Sequence, residues 1–526
     1  MADSKREIER KYEATGTTRL PDLGRVAGVA AVEHEGLMEL DAVYYDTEDL
    51  RLAAGDVTLR RRTGGSDAGW HLKLPVAPGV RDEIRAPLSD TVPARLTALI
   101  RSRALDAPVV PVVRLRSARD VHVLTAADGT PLAELSVDEV RAQRLHGGDR
   151  TAAWTEIEVE LADDGDPAFL DTVDHALDEA GIRPSTAHSK LARALEETAD
   201  ASDTPDEAPP AGTAPAGTAP AGTARRDAET APRTAGDHVL DYVRRQAEAI
   251  TALDPAVRRG LPDSVHQTRV ATRRLRSALR TYRRVLDPDA TRPLRAELKW
   301  LAGELGVDRD QEVLDARLRA RLDELPRPLV IGPVRARLRL WSAAGRGGSR
   351  RRTTAVLDSA RYLGVLRALD ALLAAPPLLP GAAAPPGEEL ARAVRKDHKR
   401  LAGRIAHALD LPPGPDRDAA LHDARKAAKR ARYAAEAARP ALGKPARKAA
   451  KRLKAVQSLL GDHQDGVVAR QTLRALAVQA HAAGEPSFTW GLVFGREEAA
   501  AAATRRELPR VWHRAHRARI RRSSGS

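Results

Sequence analysis

The stretch WTEIEVEL, Trp154 to Leu161, alternates carboxylates with aliphatic side chains: Glu156, Glu158 and Glu160 against Ile157, Val159 and Leu161. Successive side chains of a strand point to opposite faces, so this spacing predicts a strand with one apolar and one wholly acidic face. The same period of two recurs through the N-terminal part of the chain. In EIERK, Glu7, Glu9 and Lys11 share a face. Arg60 and Arg62 lie opposite Leu59, and Lys73 falls between Leu72 and Leu74. Glu83 and Arg85 flank Ile84, as Arg114 and Arg116 flank Leu115. Val121 to Thr125 and Pro131 to Val140, with Asp128-Gly129 between them, predict two antiparallel strands joined by a hairpin.

A single charged strand face is ordinarily a solvated one. Here six or more strands carry such faces, two acidic and several basic, and close carboxylates repel unless a cation stands among them. Hard divalent ions such as Mg²⁺ or Mn²⁺ take carboxylate oxygens, and Mg²⁺ commonly completes its shell with substrate phosphates. Arg offers forked donors to phosphate oxygens and Lys a point charge. A sheet closed with its charged faces inward makes a barrel lumen suited to a linear polyanion.

These residues resemble the CYTH domain, the triphosphate tunnel metalloenzyme family. Its opening ExExK motif stands as Glu7, Glu9 and Lys11, and its late acidic strand as WTEIEVEL. YYDT (Tyr44 to Thr47), LRRR (Leu59 to Arg62), HLKLP (His71 to Pro75), VDEV (Val137 to Val140) and SKLARAL (Ser189 to Leu195) follow in the expected order. The resemblance covers about residues 4–198 and implies an eight-stranded antiparallel β-barrel tunnel with flanking helices. It also implies metal ligands at Glu7, Glu9, Asp138, Glu156, Glu158 and Glu160, with Mg²⁺ or Mn²⁺ as cofactor. Glu7, Glu9, Lys11 and Glu158 are implied as catalytic residues, and Arg60, Arg62, Lys73, Arg114, Arg116 and Lys190 as phosphate contacts. The metal would polarise the terminal phosphoryl group while a carboxylate orients the attacking water.

Composition separates this part from the rest. Residues 1–235 carry 28 Lys and Arg against 42 Asp and Glu, whereas residues 236–526 carry 58 against 31. The second half is therefore strongly cationic and suits a polyanion partner. Between them, 199–235 is rich in Pro, Ala, Gly and Thr and repeats AGTAP, which predicts a disordered linker. The chain has no Cys, which excludes disulfides and thiolate metal sites. Residues 1–12 lack the apolar stretch of a signal peptide, and no apolar run is long enough to span a bilayer, so the expectation is a cytoplasmic protein without a membrane partner.

The basic half repeats one pattern. His266, Arg269, Arg273, Arg276 and Arg280 are spaced along one stripe of a helix, and His422, Arg425, Lys429 and Arg432 repeat the first four positions. LKWLAGELGVDRDQEV from Leu298 and LKAVQSLLGDHQDGVV from Leu453 follow the two copies, with Asp310 and Asp465 in register. Such a duplication predicts a pseudo-twofold all-α bundle, its repeats at about 237–373 and 388–515. Asp310 and Asp465 are expected to orient basic side chains. The pattern resembles the CHAD domain, the conserved histidine α-helical domain, over 236–515, with a basic flexible tail at 516–526. That resemblance implies inorganic polyphosphate binding along both stripes, without catalysis there. Lys429 stands where the first copy has Arg273, keeping charge but losing the fork, and is expected to shift affinity modestly.

Three readings follow. The tunnel hydrolyses tripolyphosphate or a similar triphosphate while the helical domain holds polyphosphate nearby. Alternatively, the chain is a non-enzymatic adaptor that docks on polyphosphate granules. Third, the basic half contacts nucleic acid non-specifically. Aromatic residues make up only 3% of the chain, which leaves few platforms for base stacking.

Overall fold

The computed structural model describes residues 4–199, 233–346, 349–517 and 520. The chain divides into two units, one on either side of 200–232. Most of the predicted linker and of the predicted basic tail lies outside the described residues.

The first unit is a closed antiparallel barrel of eight strands: β1 (Ser4–Ala14), β2 (Ala31–Asp46), β3 (Thr58–Thr63), β4 (Gly69–Ala77), β5 (Val80–Ala86), β6 (Val110–Thr125), β7 (Pro131–Arg144) and β8 (Thr151–Leu161). The order around the barrel is β1-β5-β4-β3-β2-β6-β7-β8. Three helices accompany it: α1 (Ala94–Ala104), α2 (Ala168–Glu179) and α3 (Lys190–Glu197). The hairpin predicted around Asp128-Gly129 joins β6 to β7, with Gly129 at a positive φ.

A barrel with a charged lumen cannot bury its apolar faces inward, so they are covered from outside. Leu170, Val173 and Leu177 of α2 pack on Tyr12, Ile157 and Val159. Leu96, Leu99 and Ile100 of α1 pack on Trp70, Leu72 and Ile84. Strand register places Tyr44, Leu115, Val140 and Trp154 on the lumen side, and there Leu191 and Ala194 of α3 close one end. Ser189 caps α3 by accepting the amide of Ala192, which fixes Lys190 at the helix start, facing the lumen.

The second unit is helical among its described residues. It comprises α4 (Ala235–Arg259), α5 (Ser264–Thr281), α6 (Arg292–Glu304), α7 (Val307–Asp323), α8 (Val334–Arg346), α9 (Ser349–Asp358), α10 (Ala360–Ala374), α11 (Pro386–Asp410), α12 (Pro415–Ala437), α13 (Arg439–Ala482) and α14 (Phe488–Arg517). Thr234 and Asp237 form a capping box, which starts α4 at Ala235. In α5 the residues opposite the basic stripe, Ala271, Leu275 and Ala278, are buried. Ala424, Ala428 and Ala431 do the same in α12. Burying small residues on the second helix lets the two stripe helices lie against each other.

Candidate functional site

The barrel encloses a cavity of about 300 Å³. Among the residues singled out by spacing and motif, Glu7, Glu9, Lys11, Arg60, Arg62, Lys73, Glu158, Glu160 and Lys190 line it. Asp138 and Glu156 sit directly behind Lys190, whose Nζ lies 2.9 Å from Asp138, 2.7 Å from Glu156 and 2.6 Å from Glu158. One oxygen from each of these three carboxylates falls within 4.8 Å of the others. The ammonium therefore stands where a cation at this triad would stand.

Arg114 and Arg116 lie elsewhere. Arg114 pairs across the ladder with Val43, on the outer side, and donates Nε to Asp41 at 2.9 Å; Arg116 reaches the same carboxylate at 3.6 Å. The lumen position on β6 belongs instead to Arg119, whose Nε and Nη2 each reach Asp138 at 2.8 Å while Nη2 also reaches Glu158 at 2.9 Å. Lys5, Glu35, Asp67 and Glu134 line the cavity as well, beyond the residues that motif and spacing bring out. Lys5 and Glu134 obey the period of two, but Glu35 enters the cavity beside a β-bulge that interrupts the period.

Electrostatics inside the cavity are tightly paired. Lys73 lies 2.6 Å from Glu7, Lys5 lies 2.7 Å from Glu160, and Lys11 contacts Glu158. Glu9 has looser partners, Lys11 at 3.5 Å and Arg81 at 3.9 Å. Burial raises the Glu7 carboxyl, and Lys73 only partly offsets this. Burial acts on Glu9 in the same direction, but Lys11, Lys73, Lys190 and Arg81 together hold that carboxyl below its usual range. Burial also pushes the Lys11 ammonium down to about 8, against the pull of Glu9.

The lining residues comprise eight carboxylates and eight Lys or Arg side chains. Such a lumen has no net positive charge with which to neutralise a triphosphate. A divalent cation entering with the phosphate would supply it, and an all-oxygen donor set suits Mg²⁺ or Mn²⁺. Glu7, Glu9 and Glu160 offer carboxylate oxygens to the cavity, and the tightest carboxylate trio is Asp138, Glu156 and Glu158 around Lys190. Glu9 and Glu160 are direct cross-strand partners, and among the described residues neither forms an ion pair with Lys190.

The helical unit brings its two predicted stripes together. Lys429 of α12 feels Arg425 beside it and Arg273 and Arg269 of α5 across from it. Arg269 reaches Asp310 at 3.1 Å, and Arg425 reaches Asp465 at 4.0 Å, the same pairing in each repeat. The repeated Leu-Gly step explains the fit: a Cβ on Gly306 would meet Arg269 Nη2 at 2.9 Å, and one on Gly461 would meet Arg425 Nε at 3.6 Å. Arg273 and Arg276 have no carboxylate partner among the described residues. Among the described residues the buried Nε atoms of Arg269, Arg273, Arg425 and Arg432 have no hydrogen-bond partner, and neither has Nδ1 of His422. His266 is half-buried at the start of the first stripe, and Arg280 lies exposed at its end. Arg295 and Arg400 extend this cationic surface; they lie outside the duplicated stripes, so spacing gives no sign of them.

Comparison with known proteins locates the two units. The CYTH domain family model matches residues 5–195, and the CHAD domain family model matches residues 241–474. The chain is 38% identical over 521 residues to an uncharacterized protein found in two strains of Mycobacterium tuberculosis, covering 95% of this chain and 94% of the relative. Among solved structures, PptA from Streptomyces chartreusis is 23% identical, with 53% of this chain and 99% of that one covered and a TM-score of 0.45. The CHAD domain from the plant Ricinus communis is 29% identical, covering 54% and 93%, with a TM-score of 0.43.

Proposed function

Since this chain belongs to the family that joins a CYTH domain to a CHAD domain, we propose that its barrel hydrolyses a linear triphosphate with a divalent metal and that its helical unit binds inorganic polyphosphate. The charge-balanced lumen carries the first part of this reading. Bound metal would polarise a phosphoryl oxygen; the chain's own residues do the rest. Arg60, Arg62, Lys73 and Arg119 grip non-bridging oxygens, and a lumen carboxylate orients water in line with the terminal phosphorus. The decisive experiment is phosphate release from tripolyphosphate, long-chain polyphosphate and ATP, each with Mg²⁺, Mn²⁺ or a chelator. Turnover that requires metal supports the reading; absence of turnover on all substrates defeats it and leaves an adaptor that binds without reaction.

Support for the second part comes from the two facing stripes, whose Arg273 and Arg276 have no carboxylate partner among the described residues and whose cations crowd Lys429, an arrangement that a bound polyanion would relieve. Binding should be steeply salt-dependent, and each Arg→Ala substitution at Arg269 or Arg425 should lower the slope of log affinity against log salt by about 1. Fluorescence anisotropy with labelled polyphosphate, repeated with duplex DNA at matched salt, checks this. Tighter binding of DNA would favour the nucleic-acid reading instead.

Lys429 gives that binding a pH dependence. Burial, then Arg425 and Arg273, push its ammonium down to about 7. A bound polyanion favours the charged form, so the complex holds a proton that the free protein releases as pH rises past 7. Affinity is then flat below about pH 7 and falls above it, by up to about tenfold per pH unit, until the ammonium in the complex also deprotonates. Lys429→Arg, charged throughout, should flatten the profile; an unchanged profile in that variant would contradict the assignment.

A further inference from the structure

We propose that His34, His122 and Asp120 form a binding site for a borderline transition-metal cation, Zn²⁺ or Co²⁺ in character, on the outer face of the barrel wall. His34 and His122 are direct cross-strand partners on β2 and β6. Asp120 precedes His122 by two residues, so strand alternation puts all three on one face. Leu124, next in the same parity, belongs to the core shared with α2, whereas Glu35, beside His34, lines the cavity on the other side of the wall. The site is therefore separate from the lumen and does not depend on the chemistry proposed there.

The geometry is that of a half-closed chelate. Nε2 of His34 lies 2.5 Å from one oxygen of Asp120, and Nε2 of His122 lies 3.9 Å from the other. The two rings meet edge to face with centroids 4.9 Å apart. One donor atom from each residue lies within 4.8 Å of the other two. Bonds of about 2.0–2.1 Å in a tetrahedron require donors about 3.3 Å apart, so an ion entering here parts His34 from Asp120 and draws His122 inward. Nδ1 of His122 is buried with no hydrogen-bond partner among the described residues. An ordinary His-Asp hydrogen bond would need one imidazole, not two converging on one carboxylate.

Donor type selects the ion. Two imidazoles and one carboxylate favour Zn²⁺, Co²⁺ or Ni²⁺ over Mg²⁺, and three protein ligands leave a fourth position to water. Bound metal would tie β2 to β6 at the bulge between His34 and Gly36, the same bulge that turns Glu35 into the cavity.

Titration of the full chain with Co²⁺ without phosphate ligands, followed by visible absorption, tests the site, with Zn²⁺-dependent thermal unfolding as a second readout. The expected result is a saturable absorption band and a raised Tm in the wild type and in Glu7→Gln, both lost in His122→Ala. His34→Gln, at a side chain 59% exposed, removes a ligand without touching the core and should lose them too. A band that persists in both histidine variants overturns the proposal. So does its absence from the wild type, or its loss in Glu7→Gln alone, which would assign the ion to the lumen carboxylates.

Discussion

Glu7→Gln is expected to lower metal-dependent phosphate release from tripolyphosphate by about 100-fold or more, the scale set by loss of a positioned charge in a catalytic site. Glu7 is 2% exposed and faces the lumen from β1. Its carboxylate lies 2.6 Å from Lys73, which stands among the predicted phosphate-gripping side chains. Gln keeps the shape and removes the charge, with two consequences for the reaction. A divalent ion loses one of its lumen oxygens with full negative charge. Lys73, released from its partner, pairs with the substrate in the ground state, so KM falls or holds while kcat collapses. Polyphosphate binding by the helical unit is the internal control, because Glu7 belongs to the other unit and that affinity should not change. Undiminished turnover in a folded Glu7→Gln protein would remove Glu7 from the mechanism.

Most of this lumen is legible in the sequence through its period of two. Alternation puts Glu7, Glu9, Lys11, Arg60, Arg62, Lys73 and Glu158 on faces that close onto one cavity. At Arg114 and Arg116 it fails for a definite reason. Alternation says which residues share a face, not which face is inside, and the usual cue, an apolar residue pointing away from the charged lumen, is reversed where α3 fills the barrel end. Leu115 is there a lumen residue and its charged neighbours are outside. Arg119 carries no such signal because Ser117-Ala118-Arg119-Asp120 shows no apolar alternation at all. Glu35 is hidden because a bulge shifts the phase. In the helical unit the duplication makes the paired arginines and aspartates legible, while Arg295 and Arg400 reach the same surface from positions outside the matched segments.

Lys190→Met is expected to destabilise the barrel by about 3–5 kcal/mol, the cost of leaving buried charge without its partner. Lys190 is 8% exposed and lies within 2.9 Å of Asp138, Glu156 and Glu158, of which Asp138 is wholly buried. Arg119 still reaches Asp138 and Glu158, but among the described residues Glu156 keeps the indole donor of Trp154 at 2.6 Å as its one side-chain hydrogen bond, with Lys11 acting on it at longer range. Met preserves the packing of the side-chain stem at the start of α3, so the loss reports charge rather than volume. The same geometry predicts a rescue. Three carboxylates with oxygens within 4.8 Å of one another form a vacant cation cage once the ammonium is gone, and Mg²⁺ or Mn²⁺ should restore much of the lost Tm while an equal ionic strength of Na⁺ should not. In the wild-type protein the ammonium competes for that cage, so divalent ions should raise its Tm less than they raise the variant's. Thermal unfolding of both proteins across a metal titration checks the pair of expectations. An unchanged Tm in Lys190→Met would mean the three acids are not ionised together. A metal response equal in the two proteins would mean that the ion sits among Glu7, Glu9 and Glu160 and never reaches the cage behind Lys190.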